Sequence, residues 1–124
     1  AWILEKFQAW TDCERDGRRH PEHAVSRDAI LDTVSLYWLS NSGASSARLY
    51  WESFNAPNLD PVPVPVACSL FPQDIFLSSE RWARRRFPQL VYWNELDRGG
   101  HFAALEQPTL FIEELRRGFR GLRR

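Results

Sequence analysis

The residue best placed to do chemistry in this chain of 124 residues is a histidine, set between a glycine pair and a proline that opens a helix: Asp97-Arg98-Gly99-Gly100-His101-Phe102-Ala103-Ala104-Leu105-Glu106-Gln107-Pro108. An imidazole takes a proton from water near neutral pH when a carboxylate orients its other nitrogen. Asp74, in Phe71-Pro72-Gln73-Asp74-Ile75, is the carboxylate expected to do so. Asp97 lies nearer in sequence, but it precedes the turn and reads as a local ion pair with Arg98. The plain alternative is a histidine packed at a turn; the adjoining glycines shift the reading toward function, because they let backbone approach closely. His20 and His23 lack a cysteine or carboxylate at partner spacing, so no metal site is expected from them.

The elements that must position His101 and Asp74 can be read from the second half of the chain. Gln89-Leu90-Val91-Tyr92-Trp93-Asn94, bounded by Pro88 and Gly99-Gly100, is predicted to be a strand. Val64-Pro65-Val66-Ala67-Cys68-Ser69 is apolar on both faces, as a parallel strand covered by helices should be. Between them Ser79 caps a short helix to Arg86, which Phe87-Pro88 closes. Pro108 opens a last helix with Leu110, Phe111, Leu115 and Phe119 at three- and four-residue spacing. The order is strand, loop with Asp74, helix, strand, loop with His101, helix. Such a βαβα unit has parallel strands joined by a right-handed crossover, so Asp74 and His101 leave the same sheet edge. Neighbouring strands lie about 5 Å apart, within reach of a hydrogen bond between exit loops.

The first half reads as helices. Trp2, Ile3, Leu4, Phe7 and Trp10 form a helical pattern, and the polar stretch from Thr11 to Val25, broken at Asp16-Gly17 and His20-Pro21, is predicted to be an exposed loop. Ser26 caps a helix with Ile30, Leu31, Val34, Tyr37 and Trp38 along one side, running to about Ser40. After Asn41-Ser42-Gly43 a second helix starts near Ser45, with Ala47, Leu49, Tyr50 and Phe54 spaced for burial, and ends by Pro57. The proline-rich stretch from Asn55 to Pro65 reads as a linker, and Tyr50 alone would be taken for core.

A chain 44% hydrophobic and 26% charged is of globular composition and single-domain length. Sixteen basic and sixteen acidic residues cancel, which gives no electrostatic reason to expect a nucleic acid or a membrane as partner. The arginine-rich cluster of Arg116-Arg117 and Arg120 to Arg124 reads as a solvated helix end. Cys13 and Cys68 are expected to be idle thiols in a reducing compartment, and with no membrane span or signal peptide visible a soluble, cytoplasmic protein is expected. Methionine is absent and the first residues already read as mid-helix, so the chain is expected to be a piece of a longer one.

The surround of His101, together with Leu36-Tyr37-Trp38, Ser45-Ser46-Ala47-Arg48-Leu49-Tyr50-Trp51-Glu52 and Val64-Pro65-Val66-Ala67-Cys68-Ser69-Leu70-Phe71-Pro72, resembles the microsomal-type epoxide hydrolases of the α/β-hydrolase superfamily. The likeness runs over the whole chain and is with the C-terminal part of such an enzyme, of bacterial type by its arginine bias. It implies an α/β fold class: residues 1 to about 60 as the end of a helical lid, and 61 to 124 as the last βαβα of the hydrolase core. Family members open an epoxide to an ester with an aspartate nucleophile, hold its oxygen with two lid tyrosines, and hydrolyse the ester with a histidine and a carboxylate. By position, the resemblance makes His101 the catalytic histidine, Asp74 its orienting acid, where relatives carry glutamate, and Tyr50 one of the tyrosines. The nucleophile, its oxyanion-hole amides and the second tyrosine are expected upstream of Ala1, which would leave this piece inactive alone.

The implied partners are a small apolar epoxide and water, in a detoxifying hydrolysis to a diol with no cofactor and no metal; homo-oligomerisation stays open. Trp51, Phe71, Trp93 and Phe102 are candidates to line the apolar pocket, and equally for core. Glu106 is expected to be a structural group at the start of the last helix. An esterase or haloalkane dehalogenase would share the histidine and acid but has no need of a phenol at Tyr50, and a non-catalytic interaction module is the further alternative.

Overall fold

The computed structural model of the chain describes residues 1–54 and 59–123. Pro57, expected to end the second helix, and the start of the proline-rich linker lie outside the described residues. The elements in order are α1 (Trp2–Trp10), β1 (Glu14–Arg15), β2 (Arg18–Arg19), α2 (Arg27–Leu39), α3 (Gly43–Ser53), β3 (Val66–Leu70), α4 (Glu80–Arg86), β4 (Leu90–Glu95), α5 (Ala103–Glu106) and α6 (Pro108–Gly118).

The second half follows its pattern closely. Strands β3 and β4 pair in parallel, Ser69 opposite Asn94 and Leu70 opposite Glu95, with the helix α4 between them in sequence. Ser79 caps α4 by accepting the Trp82 N–H at 3.4 Å, and Phe87 ends it. Pairing continues beyond the strands. Leu96 N–H donates to Leu70 O at 2.9 Å and Gln73 N–H to Gly99 O at 3.1 Å, so the two exit loops leave the sheet in register.

A buried carboxylate fastens α6 to this sheet. Glu114, 4% exposed, accepts hydrogen bonds at Oε2 from Ser69 Oγ (2.8 Å), Tyr92 OH (2.9 Å) and Asn94 Nδ2 (3.0 Å), and at Oε1 from Arg117 (3.1 Å). Tyr92 and Asn94 share a face because side chains alternate along a strand. Burial pushes the Glu114 carboxyl up, but the donors Asn94, Ser69 and Tyr92, with the Arg117 charge, outweigh it and hold the group below its ordinary 4.5. A carboxylate with a depressed folded value stabilises the fold above its unfolded value and loses that contribution as pH falls through the folded one. Glu114→Gln should therefore cost about 2 kcal/mol at neutral pH, since it weakens several bonds to a charge, and less at an acidic pH below the folded value. Thermal melts of the whole protein at both values check this; an equal loss at both pH values would leave the charge no part in it.

The first half departs from its pattern in two places. The stretch from Thr11 to Val25 is no exposed loop: β1 and β2 form a short hairpin turned at Asp16 and Gly17, both with positive φ, and Thr11, Cys13, Pro21 and Val25 are buried. Polar composition misled there because Thr11 and Cys13 bond to the end of α1, at Phe7 O and Gln8 O. Val25, Phe7 and Ile30 make a small core, against which Ile3, Ala29 and Phe102 pack. The second departure is on α2 and α3. Both helices form, Ser26 Oγ accepting the Ala29 N–H at 3.2 Å, but of the residues expected to be buried only Ile30 is. Trp38 is 84% exposed, Phe54 71% and Leu49 65%. Helical spacing says which residues share a face, not what lies against that face.

Candidate active site

The site is built where the loop after β4 meets the end of α1 and the loop after β3. Gly99 and Gly100 make the approach feasible. Gly99 has φ +98, a conformation that costs other residues strain, and a Cβ there would stand 2.7 Å from Phe71 Cδ1. A Cβ on Gly100 would stand 2.6 Å from Trp10 O, so only glycine lets the loop lie against the last turn of α1. His101 N–H then donates to that same Trp10 carbonyl at 2.8 Å.

The His101 ring is fixed from several sides. Its Nδ1 lies 2.8 Å from Asp74 Oδ1. A carboxylate only accepts, so Nδ1 carries the proton and the lone pair is on Nε2. Asp74 is itself pinned, because the Ile75 N–H donates to the same oxygen at 2.7 Å. The Trp10 and Phe102 rings meet the imidazole edge-on, at centroid distances of 5.2 and 5.1 Å. Both side chains of the pair stay about one-third exposed, His101 at 36% and Asp74 at 35%, so a water molecule can reach the ring.

His101 opens into an apolar cavity of about 410 Å³, lined from α1 by Trp2, Ile3, Lys6, Phe7 and Trp10, from α2 by Thr33 and Tyr37, from α3 by Tyr50, and by Phe102. Tyr50 and His101 thus share one space although α3 and the exit loop are distant in sequence. Of the aromatic residues expected to line a pocket, Phe102 does; Trp51 is exposed, Phe71 is buried under Gly99, and Trp93 Nε1 donates to Glu95. From the sequence the α1 aromatics read only as a helical pattern, because a helix that faces a cavity has the same spacing as one that faces a core.

The other candidates are placed as follows. Asp97 makes no ion pair with Arg98 among the described residues, contrary to the expectation, and His101 turns to Asp74 instead. His20 Nδ1 accepts the Glu22 N–H at 3.3 Å, a local turn contact, and His23 Nδ1 meets Cys13 O at 3.0 Å, ten residues back. Among the described residues no three of His, Cys, Asp and Glu converge on a metal position, and no helix is long and apolar enough to cross a membrane. Cys13 and Cys68 are free thiols. Glu106 ends α5 rather than starting the last helix; its carboxylate is buried against backbone N–H groups.

No family model matches the chain. It is 54% identical over 127 residues to a candidate epoxide hydrolase of Stigmatella aurantiaca, covering 99% of this chain and 27% of that protein. It is 36% identical over 132 residues to epoxide hydrolase 1 of Sus scrofa, covering 98% and 28%. Among solved structures, the juvenile hormone epoxide hydrolase of the silkworm Bombyx mori superposes with a TM-score of 0.85 at 30% identity, over 98% of this chain and 32% of that one. The chain therefore spans about a quarter to a third of the length of these relatives, in their C-terminal part.

Proposed function

This chain is a segment of the epoxide hydrolase family, the C-terminal part of an α/β-hydrolase fold, and from that premise we propose that it supplies the water-activating and oxygen-holding groups of an enzyme that hydrolyses an epoxide to a diol. The whole protein opens the ring with a nucleophilic carboxylate from outside this segment. One epoxide C–O bond breaks as the carboxylate oxygen bonds to that carbon, and the departing oxygen takes a proton from Tyr50. His101 then removes a proton from water at Nε2; the resulting hydroxide adds to the ester carbonyl, the diol leaves with a proton returned from the imidazolium, and the proton left on the regenerated carboxyl restores the Tyr50 phenol. Asp74 holds the ring and offsets its transient positive charge.

The observation that carries this reading is the 2.8 Å contact between His101 and Asp74 beside a cavity that also takes in Tyr50. An alkoxide is a poor leaving group at neutral pH, so a phenol near the breaking bond has work that neither ester hydrolysis nor dehalogenation would give it. We keep residues 1–60 as the end of a lid and 61–124 as the core.

The test is a single turnover of the whole protein with an alkyl or aryl epoxide in ¹⁸O water. Ester chemistry puts an unlabelled oxygen from the enzyme into the first diol, and label there instead would mean direct attack by water. Tyr50→Phe should slow ring opening by about a hundredfold, the usual worth of one positioned donor. Unchanged pre-steady-state ester formation in that variant would return Tyr50 to a packing role.

A further inference from the structure

Glu106 is a buried carboxylate that the proposed chemistry does not use. It is 8% exposed, and among the described residues no lysine or arginine pairs with it. Its partners are backbone. Oε2 accepts the Asp12 N–H at 2.7 Å and Oε1 the Phe102 N–H at 2.9 Å, which joins the segment after α1 to the residue next to His101. Asp12 returns the connection, its Oδ2 accepting the Gly99 N–H at 3.0 Å. With His101 N–H on Trp10 O, the amides of Gly99, His101 and Phe102 are all held, and each bond ends on the 10–12 segment or on Glu106. Burial pushes the Glu106 carboxyl above its ordinary 4.5, against the pull of the Asp12, Phe102 and Gly100 amides, and the Asp12 charge adds to the rise. A fold that keeps such a group without a cation bears a cost that an apolar side chain would not.

We propose that Glu106 is a positioning residue for His101: its carboxylate, bridging Asp12 N–H and Phe102 N–H, fixes the loop so that the imidazole meets both Asp74 and the ester. The inference rests on the role given to His101 above. It differs from a purely structural role in what it would spare. Ester formation uses the nucleophile and the phenol, not the imidazole, so loss of Glu106 should act on the second step alone.

Glu106→Gln keeps the volume but offers one acceptor oxygen, and its NH₂ opposes the other backbone N–H. In rapid-quench experiments on the whole enzyme, this variant should form the covalent ester at the wild-type rate. It should hydrolyse it about ten- to a hundredfold more slowly, the scale of an ångström-sized misplacement. Ester would then accumulate at steady state, visible as a mass increase on the intact protein, and kcat would fall with little change in the ring-opening rate. Wild-type rates for both steps, or an equal loss in both, would overturn the proposal, the second because it marks general damage to the fold. His101→Gln, run in parallel, separates the two levels: if that variant hydrolyses ester normally the role of His101 fails first, whereas if it accumulates ester and Glu106→Gln does not, only the role of Glu106 fails.

Discussion

A His101→Gln form of the whole enzyme should open its epoxide and then stall, with turnover down by about a thousandfold or more and nearly every molecule carrying the ester. The reason lies in the division of labour. The carboxamide fills the space of the imidazole between Trp10 and Phe102 and can still bond to Asp74, but it has no basic lone pair to take a proton from water. In the proposed mechanism ring opening asks nothing of His101, so it should continue. The measurement is intact-protein mass after mixing with excess epoxide: a stoichiometric increase by the mass of the substrate, persisting for many wild-type turnover times. Steady diol production by the variant, with no adduct, would remove His101 from the mechanism and take the reading of Glu106 with it.

The parts of the site differ in how far they were legible in the sequence. The pairing of Asp74 with His101 was, because a strand, helix, strand order forces parallel exit loops to one edge, and the bond between them follows from that topology. The fine registration was not: Gln73 pairing with Gly99, and Asp74 held by its own neighbour Ile75, are backbone matters that residue types do not announce. The helical side of the site, α1 to α3, was half legible. Trp2, Phe7, Trp10 and Tyr37 have the spacing of a packed helix, and only the arrangement of α1, α2 and α3 about one cavity shows that the packed face is also a wall. Glu106 was misplaced to the start of the last helix because Pro108 is so strong a start signal that the short α5 before it went unread. Its position four residues after Phe102 is the spacing at which a side chain reaches back one helical turn, and that is the signal that could have found it. Glu114 drew no reading from the sequence; nothing short of the β3 and β4 register shows three polar side chains converging on it.

Asp74→Asn, with Asp97→Asn beside it, should divide the two acids that the sequence offered to His101. In the structure the imidazole is bonded to Asp74, whose acceptor oxygen is held by the Ile75 N–H. Asparagine at that position removes the negative charge that the imidazolium needs while it carries the water proton. Should its NH₂ turn toward the ring, it would also favour the tautomer with hydrogen on Nε2, which cannot accept that proton. Both effects strike ester hydrolysis and neither strikes ring opening. The hydrolysis rate is therefore expected to fall by about a thousandfold or more, toward the roughly ten-thousandfold loss found when an orienting aspartate becomes asparagine. The ester should build up much as it does without His101. Asp97→Asn should change either step by less than about twofold, since a surface substitution away from the site disturbs little. A large loss in the Asp97 variant with none in the Asp74 variant would mean that the acid leaves the strand on which His101 itself sits, and the two exit loops would then owe their closeness to packing alone.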